Sequence, residues 1–197
     1  MIKNSILVQL QEGFEKLTGI TDFPQEELLK VIGEMHISLY SKGEYFARAG
    51  EISNTLSYIQ EGLFRTYIIG NDGKEYTKNF YSEGSFMGAQ TSLLTGKPSL
   101  NSIQALEDSV SLEMDYRFLT QIAEQNMAWQ KLFRCTAEQD YLAKEKRESE
   151  LLLFDAKTRY IHFIEEHPEW AARIKQHYIA SYLGITAETL SRIKEQI

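Results

Sequence analysis

The chain has 197 residues, of which 43% are hydrophobic, and this is enough to build one large or two small packed domains. It carries 28 acidic and 21 basic residues, a net charge of −7, which excludes non-specific coating of nucleic acid or of an anionic membrane surface. A single cysteine excludes an internal disulfide framework. The N-terminal apolar stretch is too short for a secretory signal and no run reaches membrane-spanning length, so we expect a cytoplasmic protein without a membrane partner.

The distribution of glycine divides the chain. All glycines except Gly184 precede Pro98, so turns dominate the first half and helices the second. We predict helices in the first 40 residues, with Pro24 at a helix start after Asp22. Their predicted buried face consists of Leu28, Leu29, Ile32 and Met35.

Turns with glycine recur between residues 41 and 114 at intervals of about 7 to 12 residues, which is typical of a sandwich or barrel of short strands. The run Asn71-Asp72-Gly73 predicts a hairpin turn. Residues between the turns are mostly β-branched or aromatic. Strands are therefore predicted at 56–60, 64–69, 76–81, 101–105 and 110–114.

Residues 118–150 contain neither glycine nor proline and are dense in helix formers, which predicts one uninterrupted helix of about 50 Å. An apolar ridge along it comprises Ile122, Trp129, Phe133 and Thr136. We predict that this ridge pairs with the same helix of a second subunit and forms a dimer interface. The alternative is that it packs on its own β-domain. A hinge is expected near residues 153–155, where Asp155 can cap the next helix.

The segment 176–195 predicts two short helices packed across a tight turn. Small Ala180 allows the close crossing and Gly184 supplies the turn. The apolar positions Ile179, Leu183, Ile185, Leu190 and Ile193 fall on the inward faces of both helices. This pattern is typical of a DNA-binding helix-turn-helix, although a helical hairpin without DNA contact has the same packing.

The second of these helices can be oriented from its chemistry. Thr186 is the predicted N-cap, and Glu188 in the first turn suits the positive end of the helix dipole. Leu190, Ile193 and Ile197 are predicted to share a buried stripe. On the opposite face, Arg192 can pair with a guanine or a phosphate. The predicted DNA-binding residues are Lys175, His177, Thr186, Ala187, Glu188, Thr189, Ser191, Arg192 and Lys194.

This order of parts resembles the Crp/Fnr family of bacterial transcription regulators. The resemblance is carried by Lys42-Gly43-Glu44, Ile59-Gln60-Glu61-Gly62, Phe64-Arg65, Gly73, Phe86-Met87-Gly88 and the helix-turn-helix from Ile179 to Arg192. The last stretch looks most like the short members of the Bacteroidetes. The family implies an α+β fold: a cyclic-nucleotide-binding-like β-roll (a jelly-roll) with flanking helices over residues 1–117, a long dimerisation helix over 118–150, and a helix-turn-helix domain over 151–197.

The resemblance also implies a role. A family member of this kind is not an enzyme but a homodimer that binds a palindromic promoter site on double-stranded DNA and contacts RNA polymerase, with the β-roll as sensor of a small molecule. The implied ligand-binding residues are Gly88, Ala89, Gln90, Thr91, Asn101 and Ser102. Backbone amides around residues 88–92, or Lys97, could receive a phosphate.

Two departures from the family pattern limit what can be carried over. Cyclic-nucleotide binders of the family have Glu after the cassette glycine and Arg before Ser or Thr, whereas Ala89 and Asn101 stand here. We therefore expect neither a cyclic nucleotide nor, because the N-terminal cysteines of the oxygen-sensing branch are missing, an iron-sulfur cluster. We also expect no β-hairpin wing after the second helix, and Ala187 replaces a base-reading Arg.

Two other classes of function compete with DNA binding. A cupin-like metalloenzyme needs clustered histidines on adjacent strands, but none falls between His36 and His162. The isolated His36 is more typical of a structural histidine than of a haem ligand. A signalling module could instead use its helix pair to contact another protein, and its binding to DNA would then be absent at every salt concentration.

Overall fold

The computed structural model describes residues 2–19 and 23–197. The helices are α1 (Ile2–Thr18), α2 (Gln25–Glu34), α3 (Gln90–Thr95), α4 (Tyr116–Gln125), α5 (Met127–Leu153), α6 (Ala156–Glu166), α7 (Pro168–Arg173), α8 (Gln176–Leu183) and α9 (Ala187–Lys194). The strands are β1 (His36–Tyr40), β2 (Tyr45–Ala47), β3 (Thr55–Glu61), β4 (Phe64–Ile69), β5 (Glu75–Tyr81), β6 (Phe86–Gly88), β7 (Ser102–Ala105) and β8 (Ser109–Asp115). Within the described ranges, no helix is both long and apolar enough to cross a bilayer.

The strands form two antiparallel sheets of four strands, in the orders β1-β8-β3-β6 and β2-β7-β4-β5. In the first sheet Tyr58 pairs with Leu112, and in the second Thr66 pairs with Ile103. Both sheets contribute to one buried apolar cluster, formed by Ala47, Ile59, Phe64, Met87, Ala89, Ile103 and Ala105. Side chains therefore fill the interior of this β-roll, and the predicted α+β fold is confirmed.

The predicted strands correspond to β3, β4, β5, β7 and β8, with ends that agree within two residues. Three observed strands were not predicted: β1, β2 and β6. Each lies at the edge of its sheet, where it pairs with a single neighbour. Short edge strands carry little periodic hydrophobic signal, so sequence patterns identify them poorly. Strand β1 also lies within the first 40 residues, which were predicted to be helical.

The N-terminal helices cover one side of the roll. Helix α2 begins after Pro24, as predicted, and buries Leu28, Val31 and Ile32. The prediction for Leu29 is wrong, because its side chain is 50% exposed on the far side of α2. Met35 follows the end of that helix and packs on the core at its edge. Asp22 lies outside the described residues.

The long helix predicted over 118–150 is interrupted. Helix α4 ends and α5 begins at Asn126, whose backbone is extended with φ −136° and ψ 116°. The Asn126 side chain accepts a hydrogen bond from the Ala128 backbone N–H at 2.9 Å, which caps α5. An asparagine side chain can form hydrogen bonds with nearby backbone groups in place of helical ones. Here it ends α4 and caps the start of α5. The prediction of one uninterrupted helix is therefore wrong.

The ridge assigned to a dimer interface packs mainly within its own subunit. Trp129 is buried against the rings of Phe14 and Phe23, at centroid distances of 5.6 and 5.0 Å. Ile122 and Phe133 are half-buried against the same cluster. The half-buried Thr136 donates its hydroxyl proton to the Leu132 carbonyl at 2.9 Å. The N-terminal helices supply this cover, so Trp129 is not available to a partner subunit.

The C-terminal helices form a core that continues into the β-roll. Helix α6 begins at Asp155, whose carboxylate accepts from the Thr158 backbone N–H at 2.8 Å, as predicted. The core cluster of this region joins α6 to α9 with two residues of the β-roll, Leu63 and Phe80. Ile197 is 62% exposed, so its predicted place in the buried stripe is wrong. The two halves of the chain thus share apolar packing.

Candidate nucleic-acid interface and sensor cassette

Helix α9 begins with the cap that the sequence predicts. The Thr186 hydroxyl accepts a hydrogen bond from the Thr189 backbone N–H at 3.2 Å, which satisfies a free donor at the helix start. In the first turn, hydrogen bonds from the Glu188 backbone N–H and the Thr186 hydroxyl lower the pKa of the Glu188 carboxyl. A carboxylate is thus held at the positive end of the helix dipole.

The two sides of α9 have opposite surroundings. Leu190 and Ile193 are buried against α8 and α6, in the core that the sequence predicts. The exposed residues of the predicted DNA surface are Lys175, His177, Thr186, Ala187, Glu188, Ser191, Arg192 and Lys194, while Thr189 is half-buried. The subunit therefore leaves the outer ridge of α9 uncovered, as entry into a major groove requires.

Helix α8 is docked on the edge of the β-roll. Strand β5 lies at a sheet edge, where outward backbone groups need partners. The Ser181 hydroxyl accepts from the Thr77 backbone N–H at 2.9 Å and donates to the Glu75 carbonyl at 3.1 Å. Arg147 of α5 donates to the carbonyls of Thr77 and Tyr182, at 3.2 and 2.6 Å. The first helix of the pair is thus fixed to the sheet through backbone hydrogen bonds.

A buried arginine lies beneath this contact. The Arg65 side chain in β4 is 1% exposed, and its Nη2 donates to the Glu75 carboxylate at 2.6 Å. Its guanidinium carbon stands 3.8 Å from the ring centroid of Tyr178 in α8 and 4.2 Å from that of Tyr67. A buried cation depends on such partners. Arg65 therefore keeps its contact with the Tyr178 ring only while α8 stays docked.

A second arginine also links the C-terminal helices to the β-roll, but it belongs to the helices, whereas Arg65 belongs to the roll. Arg173, at the end of α7, donates to both carboxylate oxygens of Glu83, at 3.0 and 2.7 Å, and also contacts Glu107. Hydrogen bonds with Glu83 and then Glu107 raise the pKa of the guanidinium. Burial opposes ionisation of Glu83, but hydrogen bonds from Arg173 and backbone N–H groups outweigh it and lower the pKa. Both carboxylates belong to turns of the β-roll.

Sequence reasoning does not identify these docking residues. One available signal is Arg65, a charged residue within an otherwise apolar and aromatic strand, because a charge at such a position needs a buried partner. The partner Tyr178 lies in another domain, and no local pattern points to it. The same holds for Ser181 and Arg173, whose partners are on the β-roll.

The second half of α5 exposes apolar side chains. Tyr141 and Leu142 are 65% and 57% exposed, and Leu152 and Leu153 are 78% and 75% exposed. Residues eleven positions apart lie about three helical turns apart on the same side, so Tyr141 aligns with Leu152 and Leu142 with Leu153. These four residues, 141, 142, 152 and 153, are named the apolar strip of α5; they are uncovered in the subunit, and charged residues such as Glu145 and Glu148 lie between the two pairs.

Comparison with known proteins relates this arrangement to regulatory proteins. The family model described as "Cyclic nucleotide-binding domain" matches residues 38–126. The fumarate and nitrate reduction regulatory protein of Vibrio cholerae is 26% identical over 163 residues, which cover 77% of this chain and 64% of that protein. FixK2 from Bradyrhizobium japonicum shares the fold with a TM-score of 0.73 and 22% identity, over 82% of this chain and 83% of that chain. The chain is thus similar in sequence and fold to regulators of the Crp/Fnr type, and residues 38–126 match the cyclic nucleotide-binding domain.

Another solved structure extends the likeness of fold. The catabolite activator protein of Thermus thermophilus has a TM-score of 0.54 and 23% identity, over 88% of this chain and 83% of that chain. The chain spans less than two thirds of the length of the curated relatives it matches, 64% and 59% for the first two.

The residues of the cassette differ from those that hold the ligand in cyclic-nucleotide binders. Ala89, where the family's binders have Glu, is buried in the apolar cluster of the roll. A Cβ atom on Gly88 would lie 2.6 Å from Leu93 Cδ1, so this turn is already closely packed. The Asn101 side-chain oxygen, where an Arg would bind phosphate, accepts from Lys78 Nζ at 3.2 Å, and the Ser102 hydroxyl accepts from the Ala49 backbone N–H at 3.1 Å.

The remaining cassette residues are in α3. Gln90 and Thr91 are half-buried in its first turn. Burial lowers the pKa of the nearby Lys78 most, and the cations Lys144 and Arg147 of α5 lower it further. Sequence reasoning does not identify Lys78 as a cassette residue. Lys78 belongs to β5, whereas the cassette residue Gly88 ends β6 in the other sheet. Within residues 2–19 and 23–197, no group of three or more His, Cys, Asp or Glu side chains could hold a metal ion.

Proposed function

We propose that this chain is a DNA-binding transcriptional regulator and not an enzyme. The observation that carries the proposal is helix α9, whose apolar side is buried while Glu188, Ser191 and Arg192 stand on an uncovered ridge. The names of its relatives, which are regulatory proteins, support it. In this proposal α9 lies in the major groove, Glu188 and Ser191 face base edges, and Arg192 pairs with a guanine.

The regulator acts as a homodimer on a palindromic site. The two half-sites of a palindrome are related by a two-fold axis, and a homodimer presents two recognition helices with the same symmetry. Trp129 cannot support the dimer, since it lies in its own core. We place the contact instead on the apolar strip of α5, with Ile122, Phe133 and Thr136 at most at its margin. Exposed tyrosine and leucine side chains on one helix face suit pairing with the same face of a second copy.

The proposed roles of the three segments are those predicted from the sequence: residues 1–117 form the sensor, 118–150 the dimerisation segment and 151–197 the DNA-binding part. The roll either binds a small molecule other than a cyclic nucleotide or has lost its ligand, and the chain works without an iron-sulfur cluster. RNA polymerase in the cytoplasm is the proposed further partner, because a promoter-bound regulator acts through it.

Selection of bound sequences from a random DNA pool tests the proposal. We expect enrichment of a palindrome whose half-sites are about one helical turn apart, and affinity for it should fall steeply as salt rises. Enrichment of no palindrome would count against the proposal. Absence of DNA binding at every salt concentration would favour a helix pair that contacts protein.

Substitution Arg192→Ala tests the role of the ridge. If Arg192 reads a base, the change should weaken binding to the selected site by about 1 to 3 kcal/mol and relax sequence preference at that position. Fluorescence anisotropy with the selected duplex and with single-base variants measures both effects. Arg117→Ala removes a similar exposed charge from the start of α4 and should leave binding unchanged. A uniform loss over all duplexes would assign Arg192 to a phosphate.

A further inference from the structure

A cavity of about 200 Å³ lies between the β-roll and the DNA-binding part. Its walls include Lys42, Gly43 and Gln104 from the roll, and Arg173, Lys175 and Tyr178 from α7 and α8. The charged side chains on these walls are all basic, in a chain whose net charge is −7. A wall of one sign in a low-dielectric cleft concentrates the potential and attracts ions of the opposite sign.

The carboxylates next to the cavity have partners other than its two lysines. Glu83 and Glu107 are both engaged by Arg173. Asp108 accepts from the Lys42 backbone N–H at 2.8 Å and so holds the backbone of that residue. In the part of the chain that the structure describes, neither the Lys42 nor the Lys175 ammonium group lies within 4.0 Å of a carboxylate. Two cations, one from the roll and one from the residue before α8, therefore have no ion-pair partner within that distance.

The polar wall between them is already ordered. Gln104 Nε2 donates to the Gly43 carbonyl at 2.9 Å, and Gln104 Oε1 accepts from Arg65 Nη2 at 3.3 Å. Arg65 stands directly behind this wall, almost fully buried, and its Nε has no hydrogen-bond partner. A preordered wall loses little conformational entropy when a ligand binds.

A neighbouring histidine lies close to two of these cations. The pKa of His177 falls below its ordinary value, through burial first and then through Lys175 and Arg65, against the opposing carboxylate of Glu75. The cations thus disfavour a further positive charge at the start of α8. An anion there would be stabilised by the same groups.

We propose that this cavity binds a compact oxyanion, a phosphate or carboxylate group, between Lys42 and Lys175. Charge-assisted hydrogen bonds from two ammonium groups supply the recognition. The volume is below the range of about 300 to 1,000 Å³ that is usual for drug-sized ligands, so the occupant is small. Because Lys42 belongs to the roll and Lys175 precedes α8, the anion joins the two parts. The proposal does not depend on DNA binding.

Isothermal titration calorimetry of the full chain with sodium phosphate tests the site, with sodium chloride at equal ionic strength as the reference. We expect saturable binding of one phosphate per chain, weakened about tenfold or more by Lys42→Gln and by Lys175→Gln, since each removes a charge-assisted bond. Lys97→Gln, an exposed lysine at the cassette, should bind as the unmodified chain does. Sodium acetate in place of phosphate distinguishes a carboxylate site from a phosphate site.

Three results would overturn the proposal. They are no saturable heat with either anion, unchanged affinity in Lys42→Gln, and loss of affinity in Lys97→Gln alone, which would move the anion to the cassette. Hydrogen exchange checks the joining role: phosphate should slow exchange both at Lys42-Gly43 and in the first turn of α8. Protection on one side only would contradict a shared site. Both lysines are exposed, so their variants should fold normally.

Discussion

Gly184 shows how a single residue sets the angle between α8 and α9. Its φ of 71° lies in the left-handed region, which other residues adopt at a cost. Its backbone N–H bonds to the Ser181 carbonyl at 3.2 Å, and the Ile185 N–H bonds to the Ala180 carbonyl at 3.0 Å. These bonds end α8 and direct the chain into α9.

The substitution Gly184→Ala should lower the free energy of unfolding by about 1 to 2 kcal/mol, because alanine pays the cost of the left-handed backbone. The added Cβ would lie 3.3 Å from Leu151 Cδ2, a flexible contact that adds little. Urea unfolding followed by circular dichroism measures the change.

Gly33→Ala is the matched control for this substitution. Gly33 is an exposed residue inside α2 with open space around its Cβ position. There alanine should stabilise the protein, by about 0.5 to 1 kcal/mol. An equal loss of stability in both variants would contradict the backbone explanation for Gly184.

At the scale of elements, one hydroxyl supplies two of the hydrogen bonds that dock α8 on β5. Ser181→Ala leaves the Thr77 N–H and the Glu75 carbonyl without this partner, which should cost about 1 to 3 kcal/mol of unfolding free energy where water cannot replace it. Ser191→Ala on the exposed ridge of α9 is the control and should change stability by less than about 0.5 kcal/mol. Chemical denaturation of both variants decides; equal stability would mean that water replaces the Ser181 hydroxyl.

The ion pairs of Arg173 should make this docking sensitive to pH. Because the folded state lowers the pKa of Glu83, the pair contributes fully above the ordinary carboxyl pKa of about 4.5 and loses its contribution as the pH falls further. The groups are partly exposed, so Arg173→Gln should cost only about 1 kcal/mol at pH 7. Urea titrations at pH 7, 5 and 4 should show this difference unchanged at pH 5 and reduced at pH 4. A difference that grows towards pH 4 would contradict the ion-pair account.

Local elements were predictable from the sequence because their signals lie within one or two turns of chain. The caps at Thr186 and Asp155 and the turn at Gly184 are examples. The break at Asn126 carried a weaker signal, a single asparagine among helix formers. Such a residue ends a helix only where two separate helices pack more favourably than one continuous helix would.

Contacts between distant elements could not be predicted in the same way. The spacing of Ile122, Trp129 and Phe133 correctly indicates an apolar face, but helical periodicity does not say which surface covers it. The cover of Trp129 turned out to be α1 and Phe23, which precedes α2. Likewise, Arg65 and Tyr178 meet only because the chain folds β4 against α8.

The whole molecule combines an acidic chain with a helix-turn-helix that is docked on its β-roll. The docking residues lie on the inner side of α8, while the ridge of α9 faces outward. DNA contact therefore does not require the two parts of a subunit to separate. What a single subunit lacks is a second recognition helix at the spacing of the next major groove.

The apolar strip of α5 is where we expect that second subunit, and Leu142→Lys tests it. A lysine at this position would bury a charge opposite a like charge across a two-fold interface, so the dimer should dissociate at micromolar concentration. Sedimentation velocity should show a shift from dimer to monomer, and affinity for the palindromic site should fall with it. Leu100→Lys makes the same change on the β-roll, at a leucine that is 71% exposed, and should leave the dimer intact. A monomeric unmodified chain, or a Leu142→Lys variant that stays dimeric, would place the subunit contact elsewhere.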